Sequence, residues 1–358
     1  MTSSGVKGDR RRRNRPLRIL VITLSIVCMF SLLSTLAASV ICAVIFERSD
    51  ADDPLSLSYT TLDDPPPRTR MSFASGSNTL VGYLYEAEKP TGIILIAHGM
   101  RGDNTSHLAE TLYFVEHGWS VFAFDGTGTG ESTGAGTVGL EQMVLDLEAA
   151  MAFLSEANET ASLPLMLYGH SMGGYAATVA AAEGDCHGVV SIAGFESPRR
   201  LMLDSGRRYV GEAAVVGYPF LCLQNRLTFG SHADLSAVEA INASDASFLI
   251  VHGANDPIVT DEVSIYGNRD AIKSQAVSYV LIDDAPRDGH SAAWLSADAV
   301  TYRTELETDL AKLSEEYDGD IPTTELDAFK SHIDREALYE LDESFMSTVL
   351  QFYTSALA

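Results

Sequence analysis

The sequence predicts an α/β protein, with a mostly parallel central sheet covered by helices on both faces and one membrane-crossing helix ahead of it. Three observations carry this expectation. From about residue 71 onward, apolar runs of strand length alternate with helical patterns. Near the N-terminus, residues 19–46 carry no charge at all. Within the alternating region, a Gly-x-Ser-x-Gly pentapeptide stands where an apolar run passes into an alanine-rich helical stretch.

Composition sets the outer bounds. The chain has 358 residues, 46% of them hydrophobic and 20% charged, which suits a globular protein with a sizeable core. The net charge of −25 is uneven. Residues 1–18 hold seven basic side chains against Asp9 alone, and the remainder holds 17 basic and 48 acidic ones. A body that acidic repels a phosphate backbone, so nucleic acid is excluded as a partner. The four cysteines form no CxxC and no Cys/His metal spacing, so neither metal nor cofactor is expected. Cys28 and Cys42 lie in the apolar stretch, while Cys186 and Cys222 could pair in an oxidising compartment.

The first element is the membrane span, 19–46. At about 1.5 Å per residue it is long enough to cross a hydrocarbon layer of about 30 Å. A cleaved signal has a shorter apolar region, so a retained anchor is favoured, although Ala37, Ala38 and Ser39 leave cleavage open. The arginine-rich tail, 1–18, should stay in the cytoplasm, which places everything after Phe46 outside a cell membrane crossed once. Residues 47–70 are polar and include Pro65, Pro66 and Pro67, and they read as a tether between membrane and domain.

The α/β domain follows, over 71–358. Strands are expected at 92–99, 120–126, 163–171, 187–195, 248–253 and 276–284, and helices at 107–118, 140–156, 320–337 and 341–357. Continuous apolar strands separated by helices mean a parallel sheet buried on both faces. Residues 197–247 break this rhythm and read as an inserted cap over the site.

The pentapeptide Gly169-His170-Ser171-Met172-Gly173 offers Ser171 as a nucleophile on a strained strand-to-helix turn. A serine hydroxyl needs a base, and that base needs an orienting acid. In the chain order Ser, acid, His, two loops after buried strands qualify. One holds Asp256 and the other His290. His187, His232, His252 and His332 are poorer bases by position. Asp283, Asp284 and Asp288 rival Asp256, but they stand so close to His290 in sequence that they have little room to orient it. Charge developing on a carbonyl oxygen needs two N–H donors. The Met172 backbone supplies one, and the loop after Ala97-His98-Gly99 the other, through Met100 with Arg101 second. Arg101-Gly102-Asp103 is too common a tripeptide to imply adhesion. Gly126, Gly128 and Gly130 have the wrong spacing for a dinucleotide site.

His98-Gly99, the turn Asp125-Gly126-Thr127-Gly128-Thr129-Gly130-Glu131-Ser132, Gly169–Gly174, Asp256 and His290 together resemble the α/β-hydrolase superfamily. Within it, the monoglyceride-lipase and serine-aminopeptidase-like group is most similar. The resemblance covers residues 75–356 and implies the α/β-hydrolase fold, with the Asp125 turn structural. It departs from the family at Gly126 and Thr127 and across the cap at 197–247, which leaves the substrate class open.

The function expected is hydrolysis of a small-molecule carboxylic ester or thioester through an acyl-enzyme. One alternative is an aminopeptidase on the same triad, with a short peptide as substrate and Glu196 or Asp204 holding its ammonium. Another is a non-catalytic binding domain. No residue is assigned to substrate binding.

Overall fold

The computed structural model describes residues 15–48, 53–62 and 64–358. Most of the basic tail expected over 1–18 lies outside these residues, as do parts of the 47–70 linker.

Helix α1, Arg15–Ile45, is the expected apolar helix. From Arg18 to Ile45 it is long and apolar enough to cross a membrane, with a mean hydropathy of 2.5. Most of its described side chains are exposed, but Ala38, Cys42 and Phe46 are buried. At spacings of four they form one stripe, turned toward the rest of the chain. The sequence predicts a linker that holds the domain off the bilayer, yet its described part lies on the body. Thr137 donates to the Phe46 carbonyl at 3.0 Å, and Arg48 donates to the Ala135 carbonyl at 3.2 Å. Leu55 and Leu57 are buried, and Arg335 donates to the Ser56 carbonyl at 2.6 Å.

Eight strands form one sheet in the order β1-β2-β4-β3-β5-β6-β7-β8. They are β1 Thr69–Ser75, β2 Asn78–Tyr85, β3 Ile93–Ala97, β4 Ser120–Asp125, β5 Leu165–His170, β6 Gly188–Ile192, β7 Ser247–Gly253 and β8 Val277–Ile282. Only the β1–β2 and β2–β4 pairs are antiparallel. The β1–β2 hairpin, which the sequence pattern does not single out, turns through Gly76 and Ser77. Gly76 takes φ 57°, a conformation that glycine adopts without a Cβ penalty.

Side chains alternate between two apolar clusters, one on each face of the sheet. On β3, Ile93, Leu95 and Ala97 point to one cluster, and Ile94 and Ile96 to the other. The first face is covered by α3, Gln142–Glu156, and α4, Met172–Ala180. The second is covered by α2, Leu108–Glu116, by the start of α8, Ala297–Glu316, and by α11, Glu343–Ala356. The Tyr353 hydroxyl ties α11 to the centre of the sheet by donating to the Leu167 carbonyl at 2.8 Å.

Between β6 and β7 the chain forms α5, Pro198–Val210, α6, Ala213–Phe229, and the short α7, Ala237–Ala243. The helix expected over 320–337 is two helices, α9 Thr323–Ser331 and α10 Arg335–Leu338. The break has a local cause, because the Asp334 carboxylate accepts from Ala337 N–H and so starts a new helix. Cys186 and Cys222 are both free, so the disulfide considered above does not form.

Candidate active site

The residues singled out by sequence meet at the C-terminal ends of the parallel strands, where open α/β sheets gather their ligands. Ser171 follows β5, Met100 follows β3, Asp256 follows β7 and His290 follows β8.

Ser171 has φ 56° and ψ −115°, far from the helical region its successor enters. The flanking glycines explain how the chain reaches this turn. A Cβ on Gly169 would run into the Gly173 carbonyl, and one on Gly173 would run into the Ala97 carbonyl of the neighbouring strand. The pentapeptide therefore needs glycine at both ends for close backbone approach as well as for the turn itself.

The Ser171 hydroxyl lies 3.0 Å from His290 Nε2, and His290 Nδ1 lies 2.7 Å from Asp256 Oδ2. A carboxylate only accepts, so Nδ1 carries the proton and Nε2 presents a lone pair to the serine. The other oxygen of Asp256 accepts from Ile258 N–H at 2.8 Å and Val259 N–H at 2.9 Å. Three hydrogen bonds thus fix a carboxylate whose side chain is fully shielded from solvent. Two of the three rival acids are engaged elsewhere. Asp284 pairs with Arg287, and Asp288 accepts from Asn255 at 2.6 Å. His252, the nearest rival base, is buried and stacks on Tyr266, and burial lowers its pKa.

Met172 opens α4, so its N–H has no partner within the helix. Gly99 to Gly102 form a turn closed by a 3.1 Å bond from Gly102 N–H to the Gly99 carbonyl, with Met100 and Arg101 at its centre. A Cβ on Gly99 would sit 3.6 Å from the Ser171 Cβ, so this turn borders the serine. His98 holds it there as a neutral ring. Its Nδ1–H donates to the Gly99 carbonyl at 2.7 Å, and its Nε2 accepts from Gly126 N–H at 3.0 Å. Burial is the main cause that keeps the His98 pKa low. Asp125 adds a second brace, accepting from Asn104 N–H at 2.8 Å and Glu131 N–H at 2.8 Å.

Two supporting residues are not visible from sequence. His170 Nε2–H donates to the His290 carbonyl at 2.9 Å and so steadies the backbone of His290. Burial first, then the neighbouring His290 and His107, push the His170 pKa well down, so it acts as a neutral donor. Arg208 donates to the Pro257 carbonyl and, at 2.8 Å, to the Ile258 carbonyl, bracing the Asp256 loop from α5. His170 is in view as the second residue of the pentapeptide, but nothing in the spacing reveals its partner. A cleft of about 450 Å³, lined by residues including Ile93, Leu165 and His187, lies at the opposite ends of the strands and faces none of these groups.

Comparison with known proteins agrees with this architecture. A family model described as serine aminopeptidase S33 matches residues 88–220. Over 126 residues the chain is 32% identical to a Mycobacterium tuberculosis protein provisionally named a phosphoribosyl transferase. That match takes in 34% of this chain and spans only 28% of the relative's length. An esterase of Pyrococcus furiosus superposes with a TM-score of 0.53 at 15% identity, covering 76% of this chain and 98% of that one. Another crystal form of the same esterase gives 0.52 at 14% identity, covering 76% and 97%. At such identities the structural likeness establishes the fold. With the sheet order, the turn at Ser171 and the family match in agreement, the chain has the α/β-hydrolase fold and is similar to the serine aminopeptidase S33 family over residues 88–220.

Proposed function

We propose that this chain is a serine hydrolase that cleaves carboxylic esters or thioesters through an acyl-enzyme, held by α1 on the outer face of a cell membrane. The observation that carries the reading is the relay Ser171–His290–Asp256, with contacts of 3.0 and 2.7 Å, starting from a serine in a strained backbone turn.

In this mechanism Ser171 Oγ attacks the substrate carbonyl carbon while His290 Nε2 takes the hydroxyl proton. Asp256 keeps the ring in the right tautomer and stabilises the imidazolium that forms. The N–H groups of Met172 and Met100 face the developing oxyanion. His290 then returns the proton to the leaving alcohol or thiol. Water, deprotonated by the same ring, releases the acid and restores Ser171.

The aminopeptidase alternative loses ground on its two candidate acids. Glu196 accepts from Ser236 and Ser197 at 2.5 and 2.7 Å, and Asp204 is ion-paired with Arg208 at 3.0 Å. Both carboxylates already have partners within the protein, and Glu196 also pairs with Arg200 at 3.6 Å. The test is a panel of p-nitrophenyl esters and aminoacyl anilides offered to the detergent-solubilised full chain. Ester turnover abolished by Ser171→Ala is the expected result. Turnover of anilides alone would overturn the ester assignment, and activity surviving in Ser171→Ala would overturn the nucleophile.

A further inference from the structure

Helix α6 carries no charged side chain from Ala213 to Asn225. Val216, Phe220, Leu223 and Leu227 follow one another at spacings of four, three and four, so they share one face of the helix. That face is not turned to the body. Val216 is 67% exposed and Leu227 70%, and Leu223 is exposed as well. In the middle of the stripe, Phe220 meets Phe30 of α1 edge-on, with ring centroids 5.7 Å apart. One turn further on, Gln224 accepts a hydrogen bond from Ser39 of α1 at 2.7 Å. The exposed stripe is therefore continuous with the surface of the apolar helix. Just before α6, Tyr209 and Val210 are also exposed. A soluble domain seldom leaves so much contiguous apolar surface in water.

Depth along α1 points to what covers it. Phe30 lies twelve residues beyond Arg18, the last charge before the span. At about 1.5 Å per residue that is about 18 Å, well inside a hydrocarbon layer about 30 Å thick. Phe220 touches Phe30, so it reaches hydrocarbon depth. The charges beside the apolar run are paired within the protein, Arg207 with Glu212 at 3.6 Å and Arg226 with Asp234.

We infer that the α5–α6 hairpin is seated in the outer leaflet of the membrane that α1 crosses, with Val216, Leu223 and Leu227 against phospholipid acyl chains. This rests on the anchor proposed above. Because Arg208 joins the hairpin to the Asp256 loop, the seating would bring the rim of the site to the bilayer.

The test reconstitutes the full chain in phosphatidylcholine vesicles containing a lipid with a diazirine in its acyl chain. After photolysis, labelled residues are mapped by mass spectrometry. The expected result is label on α1 and on the Val216–Leu227 stripe, with none on Tyr279 and Leu281, exposed residues at the edge of the sheet. Label on α1 but not on α6 overturns the inference and leaves the anchor standing. No label on α1 overturns the anchor, and the seating falls with it. In the same vesicles, a Val216→Glu/Leu227→Glu double variant should lose about tenfold in rate on a vesicle-dispersed ester, while its rate on a water-soluble ester is unchanged. An equal fall in both rates, or no fall in either, contradicts the seating.

Discussion

At the scale of single residues, the proposed chemistry depends on which proton sits on which nitrogen. The Asp256 carboxylate makes His290 Nδ1 the donor and leaves Nε2 to accept from Ser171. An amide at 256 keeps the shape but can present an N–H to Nδ1, which favours the tautomer with no lone pair facing the serine. Asp256→Asn should therefore lower ester kcat by about 10⁴ with the fold intact, measured as initial rates alongside a thermal melt. A fall of less than about tenfold would mean that another group orients the ring. The meeting of Ser171 with His290 is legible in the sequence because a serine on a strand-to-helix turn and a histidine after a late strand have few rivals in the chain. The contacts of His170 and Arg208 are not legible, since each joins residues about 50 or more positions apart through backbone carbonyls, which leave no mark on the sequence pattern.

At the scale of elements, the strands β3 to β7 are readable because each is a continuous apolar run buried between neighbours, and β8 keeps an apolar run although it forms an edge and buries only Ile282. The β1–β2 hairpin lies at the edge and alternates less clearly. Helix α8 escapes notice because it buries only Ala299 and Val300 over 20 residues, so its apolar periodicity is faint. The packing of α1 on α6 is illegible for a different reason. Both helices are apolar on several sides, and hydrophobicity alone cannot say which side meets protein and which meets lipid. Two glycines separate close backbone approach from helix propensity. Gly173 approaches the Ala97 carbonyl so closely that Gly173→Ala should displace α4 from β3 and lower the melting temperature by many degrees. A methyl group added at Gly217, inside α6, would meet nothing within 4 Å, so Gly217→Ala should be neutral or stabilising by up to about 1 kcal/mol. Comparable losses in the two variants, read by thermal melts, would mean that close approach is not what selects the glycine at 173.

At the scale of the whole molecule, Glu141 marks where the sheet domain meets the inserted helices. Its side chain is buried and accepts from Asn225 of α6 at 2.6 Å, while its second oxygen has no partner among the described residues. Burial is the main cause that raises its pKa from the usual 4.5 to about 7. Between those values the folded chain keeps a proton that the unfolded chain releases. The stability this group contributes is full below about pH 4.5 and is lost as the pH rises through 7. Glu141→Gln mimics the protonated form, so its advantage over the parent should grow by on the order of 2 kcal/mol between pH 5 and pH 8. His98 and His170, whose pKa values are lowered, have the opposite sign. Their contribution is present above about 6.5 and is lost as the pH falls below it. Taking the difference between variant and parent at each pH cancels their part, and a difference that stays flat would place Glu141 in contact with water.

The central claim is that Ser171 is the nucleophile of a working relay, and fluorophosphonate labelling of the folded full chain tests it most directly. The phosphorus reagent reacts with an activated serine and spares ordinary hydroxyls. The expected result is a single adduct, mapped by peptide mass spectrometry to Ser171, absent in Ser171→Ala and strongly slowed in His290→Ala. Adduct formation elsewhere, or none at Ser171 in protein shown to be folded, would contradict it.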